Sequence, residues 1–126
     1  MGPTLAVRAD EERVRTVLRN LLHNAVRAST GGGHVAVDAI EANGAVRLEV
    51  RDDGIGFPPQ LAPRLFEKFY RIDSNEPAQM GGTGLGLYLV RRCVELDGGS
   101  VAAESPGTGH GAVFTVTWPA TEMAVA

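Results

Sequence analysis

A glycine-rich stretch in the second half of the chain, Gly81-Gly82-Thr83-Gly84-Leu85-Gly86-Leu87, narrows the choice of folds more than any other segment. Glycine reaches backbone conformations closed to other residues and lets another group approach closely. The apolar segment 88–96 follows directly, which predicts a helix that begins at the glycines. The first amides of a helix lack internal partners and carry partial positive charge, so such a start can seat a phosphate. Taken alone, the stretch also fits a plain glycine-rich turn before a helix.

Length and composition favour one compact domain. The chain has 126 residues, of which 44% are hydrophobic, so we expect a single domain over residues 1–126 with an ordered core at about residues 5–119. The net charge of −3 offers no broad basic surface, so neither nucleic acid nor a membrane is expected as a partner. Cys93 is the single cysteine, which excludes a disulfide framework. No apolar run reaches the length of a bilayer, and no signal peptide is evident.

A long amphipathic helix is predicted from Glu11 to Ser29, because apolar residues recur there at helical spacing. At about 100° per residue, Asn20, Asn24 and Arg27 fall within about 60° of one another, off the centre of the apolar face. These three polar side chains therefore point the same way. An ordinary solvated helix face is the alternative.

Two antiparallel strands are predicted next, Val35–Ile40 and Val46–Arg51, joined across Asn43-Gly44 in a tight hairpin. Strand alternation places Asp52 on the apolar face of the second strand. A carboxylate that faces the core needs hydrogen-bond donors, either from the protein or from a ligand. On the segment Asp52–Gly56 alone, a strand end followed by a turn is the simpler interpretation.

The remaining elements complete an α+β pattern. A short strand is predicted at Leu5–Arg8, short helical turns at Leu61–Phe69, a loop at Asp73–Gly82, and two more strands at Ser100–Ser105 and Ala112–Trp118. The predicted fold is a two-layer α/β sandwich, in which about three helices cover one face of a mixed, mostly antiparallel sheet.

Four segments, in order, resemble the ATP-binding catalytic domain of two-component sensor histidine kinases. That family belongs to the superfamily of DNA gyrase, heat-shock chaperone and mismatch-repair ATPases, with the Bergerat-type fold. Val17–Ala25 resembles its N box, Asp52–Gly56 its first glycine box D-x-G-x-G, Leu65–Arg71 its F box and Gly82–Leu87 its second glycine box. The resemblance extends from about Leu5 to Pro119.

The resemblance implies ATP and Mg²⁺ as cofactors. Asn24 would bind Mg²⁺ through its amide oxygen, as suits a hard cation that bridges phosphates. Asn20 and Arg27 would face the phosphates, and Asp52 would accept a hydrogen bond from the adenine amino group. The implied ATP-binding residues are Asn20, Asn24, Arg27, Asp52, Gly54, Gly56, Tyr70, Gly82, Thr83, Gly84, Leu85, Gly86 and Leu87.

Other roles follow from the same resemblance. Gly54 and Gly56 would let the purine lie against the backbone, and Tyr70 would pack near it. Arg71 would reach the γ-phosphate during transfer, and about residues 71–83 would form an ATP lid. The implied catalytic residues are Asn20, Arg27 and Arg71. Ala28 departs from the family, many members of which carry an aromatic residue there beside the adenine.

The identity of residue 20 bears on the reaction. Hydrolases and serine kinases of the superfamily usually place a general-base Glu where this chain has Asn20, and an amide cannot act as a base near neutral pH. A neutral histidine acceptor is already nucleophilic, so the resemblance favours a histidine kinase over two alternatives, a degenerate docking module and a serine-directed anti-sigma-type kinase.

In the family, the phosphorylated histidine lies in a His-Glu context on a helical hairpin. None of the three histidines in this chain is followed by an acidic residue, so we expect the phosphorylated histidine on a separate domain. The isolated domain should therefore bind ATP without phosphorylating itself. Its expected partners are the histidine-bearing dimerisation domain of the parent kinase and a downstream response regulator. We expect it in the cytoplasm; the sequence leaves open whether the parent protein is anchored in the bacterial inner membrane.

Overall fold

The computed structural model describes residues 9–29, 33–68, 70 and 85–120. Within these ranges the chain forms two α-helices, one 3₁₀ helix and four strands. In chain order these are α1 (Glu11–Ala28), β1 (Val35–Ala42), β2 (Ala45–Asp52), the 3₁₀ helix (Pro59–Arg64), α2 (Gly86–Leu96), β3 (Ser100–Glu104) and β4 (Ala112–Pro119). The strand predicted at Leu5–Arg8 lies outside the described residues.

Helix α1 is well defined at its start. Asp10 is the N-cap, and its carboxylate accepts a hydrogen bond from the Arg13 N–H at 3.1 Å. Glu11 and Glu12 in the first turn interact favourably with the positive end of the helix dipole. The helix buries three residues spaced four positions apart, as the predicted apolar stripe requires: Val17, Leu21 and Ala25.

The four strands form one sheet in the order β1-β2-β4-β3. All three strand pairs in this described sheet are antiparallel, so the mixed character that we predicted is not seen in it. The β1–β2 hairpin turns at Asn43 and Gly44, both with positive φ (55° and 76°). That is the geometry of a tight hairpin turn whose twist matches the flanking strands.

The core lies between one face of the sheet and the helices. Residues of β2 and β4 alternate buried and accessible, so Leu48, Val50, Phe114 and Val116 face inward. Phe114 contacts the rings of Phe57 and Phe66, with centroids 6.2 and 6.3 Å away. Each such buried side chain contributes roughly 1.5–3 kcal/mol. The predicted α+β sandwich is confirmed, and the helical turns expected at Leu61–Phe69 begin earlier, at Pro59.

An ion pair fixes how the two α-helices lie against each other. The guanidinium of Arg13, near the start of α1, donates to both carboxylate oxygens of Asp97 at 3.0 and 2.7 Å, and Asp97 directly follows the end of α2. This hydrogen bonding lowers the pKa of the Asp97 carboxyl. Since the start of α1 meets the end of α2, the start of α2 lies beside the later turns of α1. Neither described helix is long and apolar enough to cross a membrane.

Candidate functional site

Asp52, at the end of β2, is buried with only one carboxylate oxygen engaged. The residue is 4% exposed, which confirms that it lies on the apolar face. Its Oδ1 accepts a hydrogen bond from the Gly54 N–H at 2.9 Å. Its Oδ2 is buried, and no group in the described part of the chain hydrogen bonds to it. Buried polar atoms in proteins almost always have partners, so Oδ2 is available to accept a hydrogen bond from an external donor.

The electrostatics of Asp52 agree with this geometry. Burial raises the pKa of its carboxyl, and the charge of Asp53 raises it further, while the N–H groups of Gly54 and Ala112 offset part of the effect. Burial raises a carboxyl pKa because the charged form loses its hydration. A ligand N–H that reaches Oδ2 would replace some of that hydration.

The segment after Asp52 is held on two sides by backbone contacts. On one side, the Ile55 N–H donates to the Ala28 carbonyl at the end of α1, at 3.0 Å. On the other, the β3–β4 loop, residues 105–111, donates from Gly109 to the Ile55 carbonyl at 2.6 Å and from Gly111 to the Gly54 carbonyl at 3.0 Å. The position of this segment is therefore set by both neighbours.

These contacts explain the two glycines of the segment. A β-carbon on Gly54 would overlap the Ala28 carbonyl oxygen. A β-carbon on Gly56, where φ is +59°, would lie 2.5 Å from the Gly107 carbonyl oxygen and 2.8 Å from Ser105 Oγ. Both positions thus exclude a side chain because of neighbouring protein atoms. Contact of these glycines with a purine stays a prediction.

The polar face of α1 lies beside the start of α2. Asn20 is half-buried, and its Nδ2 donates to the Thr16 carbonyl at 2.8 Å. Its Oδ1 lies 3.2 Å from the position that a β-carbon on Gly86 would take. Asn24 is half-buried and Arg27 exposed. The structure therefore brings Asn20 to the first residue of α2, as the phosphate-seat hypothesis requires.

Helix α2 begins at the predicted glycine-rich stretch. Leu85 is its N-cap residue and makes no side-chain capping hydrogen bond. Leu87, in the first turn, packs against the core. The predicted site residues Arg71, Gly82, Thr83 and Gly84 lie outside the described residues, as does the predicted lid. Within the part that is described, the prediction of a helix start at this stretch is confirmed.

Tyr70 packs against the core. The guanidinium carbon of Arg64 lies 4.7 Å from the centroid of its ring, a distance at which the cation is attracted to the ring face. Arg64 thus holds Tyr70 at the edge of the core. Contact between Tyr70 and a base stays a prediction.

The donor set available for a metal is an amide rather than a carboxylate cluster. Across the described ranges, no three His, Cys, Asp or Glu side chains gather as metal ligands. Asn24, one turn after Asn20 on the same side of α1, offers one hard oxygen. That set fits Mg²⁺, which binds through few protein oxygens and completes its shell with phosphate and water.

One part of the site was not predicted from the sequence. Residues 106–111 lie between the two last predicted strands, and the structure packs this loop against the segment that follows Asp52. The glycines at every second position from 107 to 111 were the available signal, since close backbone packing often requires glycine.

Comparisons with known proteins agree with the geometry. The family model for the histidine kinase-, DNA gyrase B-, and HSP90-like ATPase matches residues 9–122. The chain is 37% identical over 117 residues to the sensor histidine kinase WalK of Bacillus subtilis, covering 91% of this chain and 19% of WalK. It is 42% identical over 112 residues to the circadian input-output histidine kinase CikA of Synechococcus elongatus, covering 89% of this chain and 15% of CikA.

Solved structures show the same fold. The mycobacterial sensor histidine kinase MprB superimposes with a TM-score of 0.77 at 31% identity, covering 89% of this chain and 73% of that one. Full-length ShkA in complex with AMPPNP superimposes with a TM-score of 0.79 at 34% identity, covering 95% of this chain and 24% of that one. The chain spans less than a fifth of the length of WalK or CikA.

Proposed function

The chain belongs to the family of histidine kinase-, DNA gyrase B- and HSP90-like ATPases, and we propose that it is the ATP-binding catalytic domain of a sensor histidine kinase. It binds Mg²⁺-ATP between α1, the end of β2 and the start of α2. It then donates the γ-phosphate to a histidine on a separate dimerisation domain of the parent protein, from which the phosphate passes to a response regulator. The named relatives, which are histidine kinases, support this proposal.

The observation that carries the proposal is the unpartnered Oδ2 of Asp52. Adenine presents an exocyclic amino group, and the buried oxygen is an acceptor with no donor among the described residues. A hydrogen bond to a charged group contributes about 1.5–3 kcal/mol. The base therefore binds where its amino group meets this carboxylate. Gly54 and Gly56 keep the segment after Asp52 close to its neighbours, and this segment forms one wall of the base site. Tyr70 packs near the base.

The triphosphate binds at the start of α2. The N–H groups of the first helical turn have no internal partners, and the helix dipole favours an anion there. We assign the backbone of this phosphate seat to Gly82, Thr83, Gly84, Leu85, Gly86 and Leu87. Asn20, which lies against Gly86, contacts the phosphates from α1, with Arg27 two turns further along the helix. Asn24 would hold Mg²⁺, and the ion would supply positive charge beside the phosphates.

The reaction breaks the bond between the γ-phosphorus and the bridging oxygen of ATP and forms a phosphorus–nitrogen bond to the histidine of the partner domain. ADP leaves with the bridging oxygen. Phosphoryl transfer depends mainly on the positioning of the reactants and on the stabilisation of charge. We assign both tasks to Asn20, Arg27 and Arg71. Asn20 cannot act as a base near neutral pH, so activation of water or of a serine hydroxyl is disfavoured relative to attack by a neutral imidazole.

Phosphotransfer to a supplied acceptor tests the proposal. The domain is incubated with Mg²⁺ and ATP labelled on the γ-phosphate, first alone and then with the histidine-bearing helical hairpin of the parent kinase. We expect no label on the domain alone and an acid-labile label on the hairpin. An acid-stable label on serine would indicate the serine-directed kinase instead. Bound ATP with no transfer at all would indicate a docking module.

A further inference from the structure

Ser105, which directly follows β3, is a buried polar residue that the phosphotransfer chemistry does not use. It is 7% exposed. Its Oγ accepts hydrogen bonds from the N–H groups of Phe57 at 3.1 Å and Gly107 at 3.2 Å. The hydroxyl proton is directed to the Gly111 carbonyl at 2.7 Å, with the Gly107 carbonyl at 3.2 Å. A serine hydroxyl has one donor and two acceptor positions, and all of them are engaged.

These hydrogen bonds join two loops on the base side of the site. Phe57 ends the segment that follows Asp52, while Gly107 and Gly111 belong to the β3–β4 loop. The same two loops also meet through the Gly109–Ile55 and Gly111–Gly54 backbone hydrogen bonds. Ser105 is the one side chain among these contacts, so it is the point at which the junction can be changed without altering the backbone.

A short series of hydrogen bonds leads from Ser105 to the carboxylate of Asp52. The Ser105 hydroxyl binds the Gly111 carbonyl, the Gly111 N–H binds the Gly54 carbonyl, and the Gly54 N–H binds Asp52 Oδ1. Because Oδ1 is held by Gly54, the carboxylate cannot rotate freely, and Oδ2 stays as the oxygen without a partner. The orientation of the acceptor thus depends on where the β3–β4 loop holds Gly54.

We infer that Ser105 is a positioning residue for base discrimination, which fixes the Asp52 carboxylate so that it accepts from a 6-amino purine and rejects a 6-oxo purine. This inference rests on the proposed function. A fixed carboxylate oxygen binds the adenine amino group and repels the carbonyl oxygen that guanine presents at the same position. A carboxylate that is free to turn binds the adenine amino group less strongly and also repels the guanine carbonyl less strongly.

The ratio of ATP to GTP affinity tests this role. Calorimetry with Mg²⁺ and each nucleotide is carried out on the wild-type domain and on Ser105→Ala. We expect ATP affinity to fall about tenfold, equivalent to about 1.4 kcal/mol, while GTP affinity stays the same or rises because the freed carboxylate repels the guanine carbonyl less. Ser105→Thr, which keeps the hydroxyl, restores the wild-type ratio. Ser100→Ala, at an exposed position at the start of β3, leaves the ratio unchanged.

The possible outcomes separate this inference from the proposed function. If the wild-type domain does not bind ATP, the proposed function fails. If it binds ATP and prefers it to GTP, but Ser105→Ala lowers both affinities equally or neither, then Ser105 is merely structural and the inference is overturned. Should Ser105→Ala not fold, Ser105→Cys replaces it, since a thiol fills the site but is a weak hydrogen-bond acceptor; the ratio is interpreted in the same way.

Discussion

At the scale of single residues, Asp52 combines a structural cost with the role in base binding that we propose for it. A buried carboxylate with one engaged oxygen is less stable in its charged form than the same group in water. Binding sites commonly hold such groups, because the ligand supplies the missing partner. The nucleotide-free protein is therefore expected to be destabilised at this residue, and ligand binding is expected to relieve that destabilisation.

Replacement of Asp52 by Asn should reveal this cost through its pH dependence. The pKa of Asp52 is raised in the folded protein, so between the ordinary carboxyl pKa and the raised one the folded state binds more protons than the unfolded state. The free energy of unfolding then falls as pH rises through that window, by at most about 1.4 kcal/mol per pH unit. Asp52→Asn removes this contribution.

Denaturant unfolding without nucleotide, at a series of pH values, measures the effect. The stability of Asp52→Asn relative to wild type should increase as pH rises through the window. Asp38→Asn, at an exposed position in β1, is the matched control and should follow wild type. Parallel pH profiles for wild type and Asp52→Asn would contradict the account of this carboxylate.

At the scale of elements, the packing of α1 against α2 aligns the polar face of one helix with the start of the other. The Arg13–Asp97 ion pair joins the start of α1 to the residue that follows α2. At the start of α2, Gly86 lies next to Asn20 of α1. Two glycines of the site differ in what a β-carbon would meet. At Gly54 it would meet the backbone of α1, which cannot yield, whereas at Gly86 it would meet the end of an asparagine side chain, which can move.

Gly86→Ala should therefore weaken nucleotide binding without loss of stability. A β-carbon there would press on Asn20 Oδ1 from 3.2 Å, while alanine is a better helix former than glycine by up to about 1 kcal/mol. We expect unfolding free energy within about 0.5 kcal/mol of wild type or higher, and ATP affinity several-fold lower. Calorimetry and denaturant unfolding on the same preparation measure both.

Gly54→Ala provides the contrast. Its β-carbon would overlap the Ala28 carbonyl oxygen, so the backbone of α1 or of the loop must shift, at a cost of roughly 1–3 kcal/mol. Stability and binding should fall together in this variant. If Gly86→Ala lost stability to the same extent as Gly54→Ala, the proposed difference between the two contacts would be wrong.

At the scale of the whole molecule, the regular elements were predictable and the junctions between them were not. Apolar periodicity predicted α1, the apolar segment after the glycines predicted α2, alternation gave the inward face of β2, and Asn43-Gly44 predicted the hairpin. The inward position of Asp52 followed from the same alternation. These features depend on local patterns, which a single sequence contains.

The contacts that fix the site are non-local. The Ser105 hydroxyl meets Phe57, which is 48 positions away, and Arg13 meets Asp97, which is 84 positions away. Nothing in local spacing indicates which distant backbone groups will meet. The sequence therefore supplied candidate residues for the base and phosphate sites, whose roles stay predictions, but it did not indicate the loop that packs against the segment after Asp52.

Titration of Mg²⁺-ATP into the domain by calorimetry, with wild type, Asp52→Asn and Asp38→Asn compared, tests the central claim most directly. We predict micromolar-range or weaker affinity for wild type and for Asp38→Asn. Asp52→Asn should bind at least about tenfold more weakly, because a hydrogen bond to a charged group contributes about 1.5–3 kcal/mol. Equal affinity in wild type and Asp52→Asn would contradict the claim that this carboxylate recognises the base.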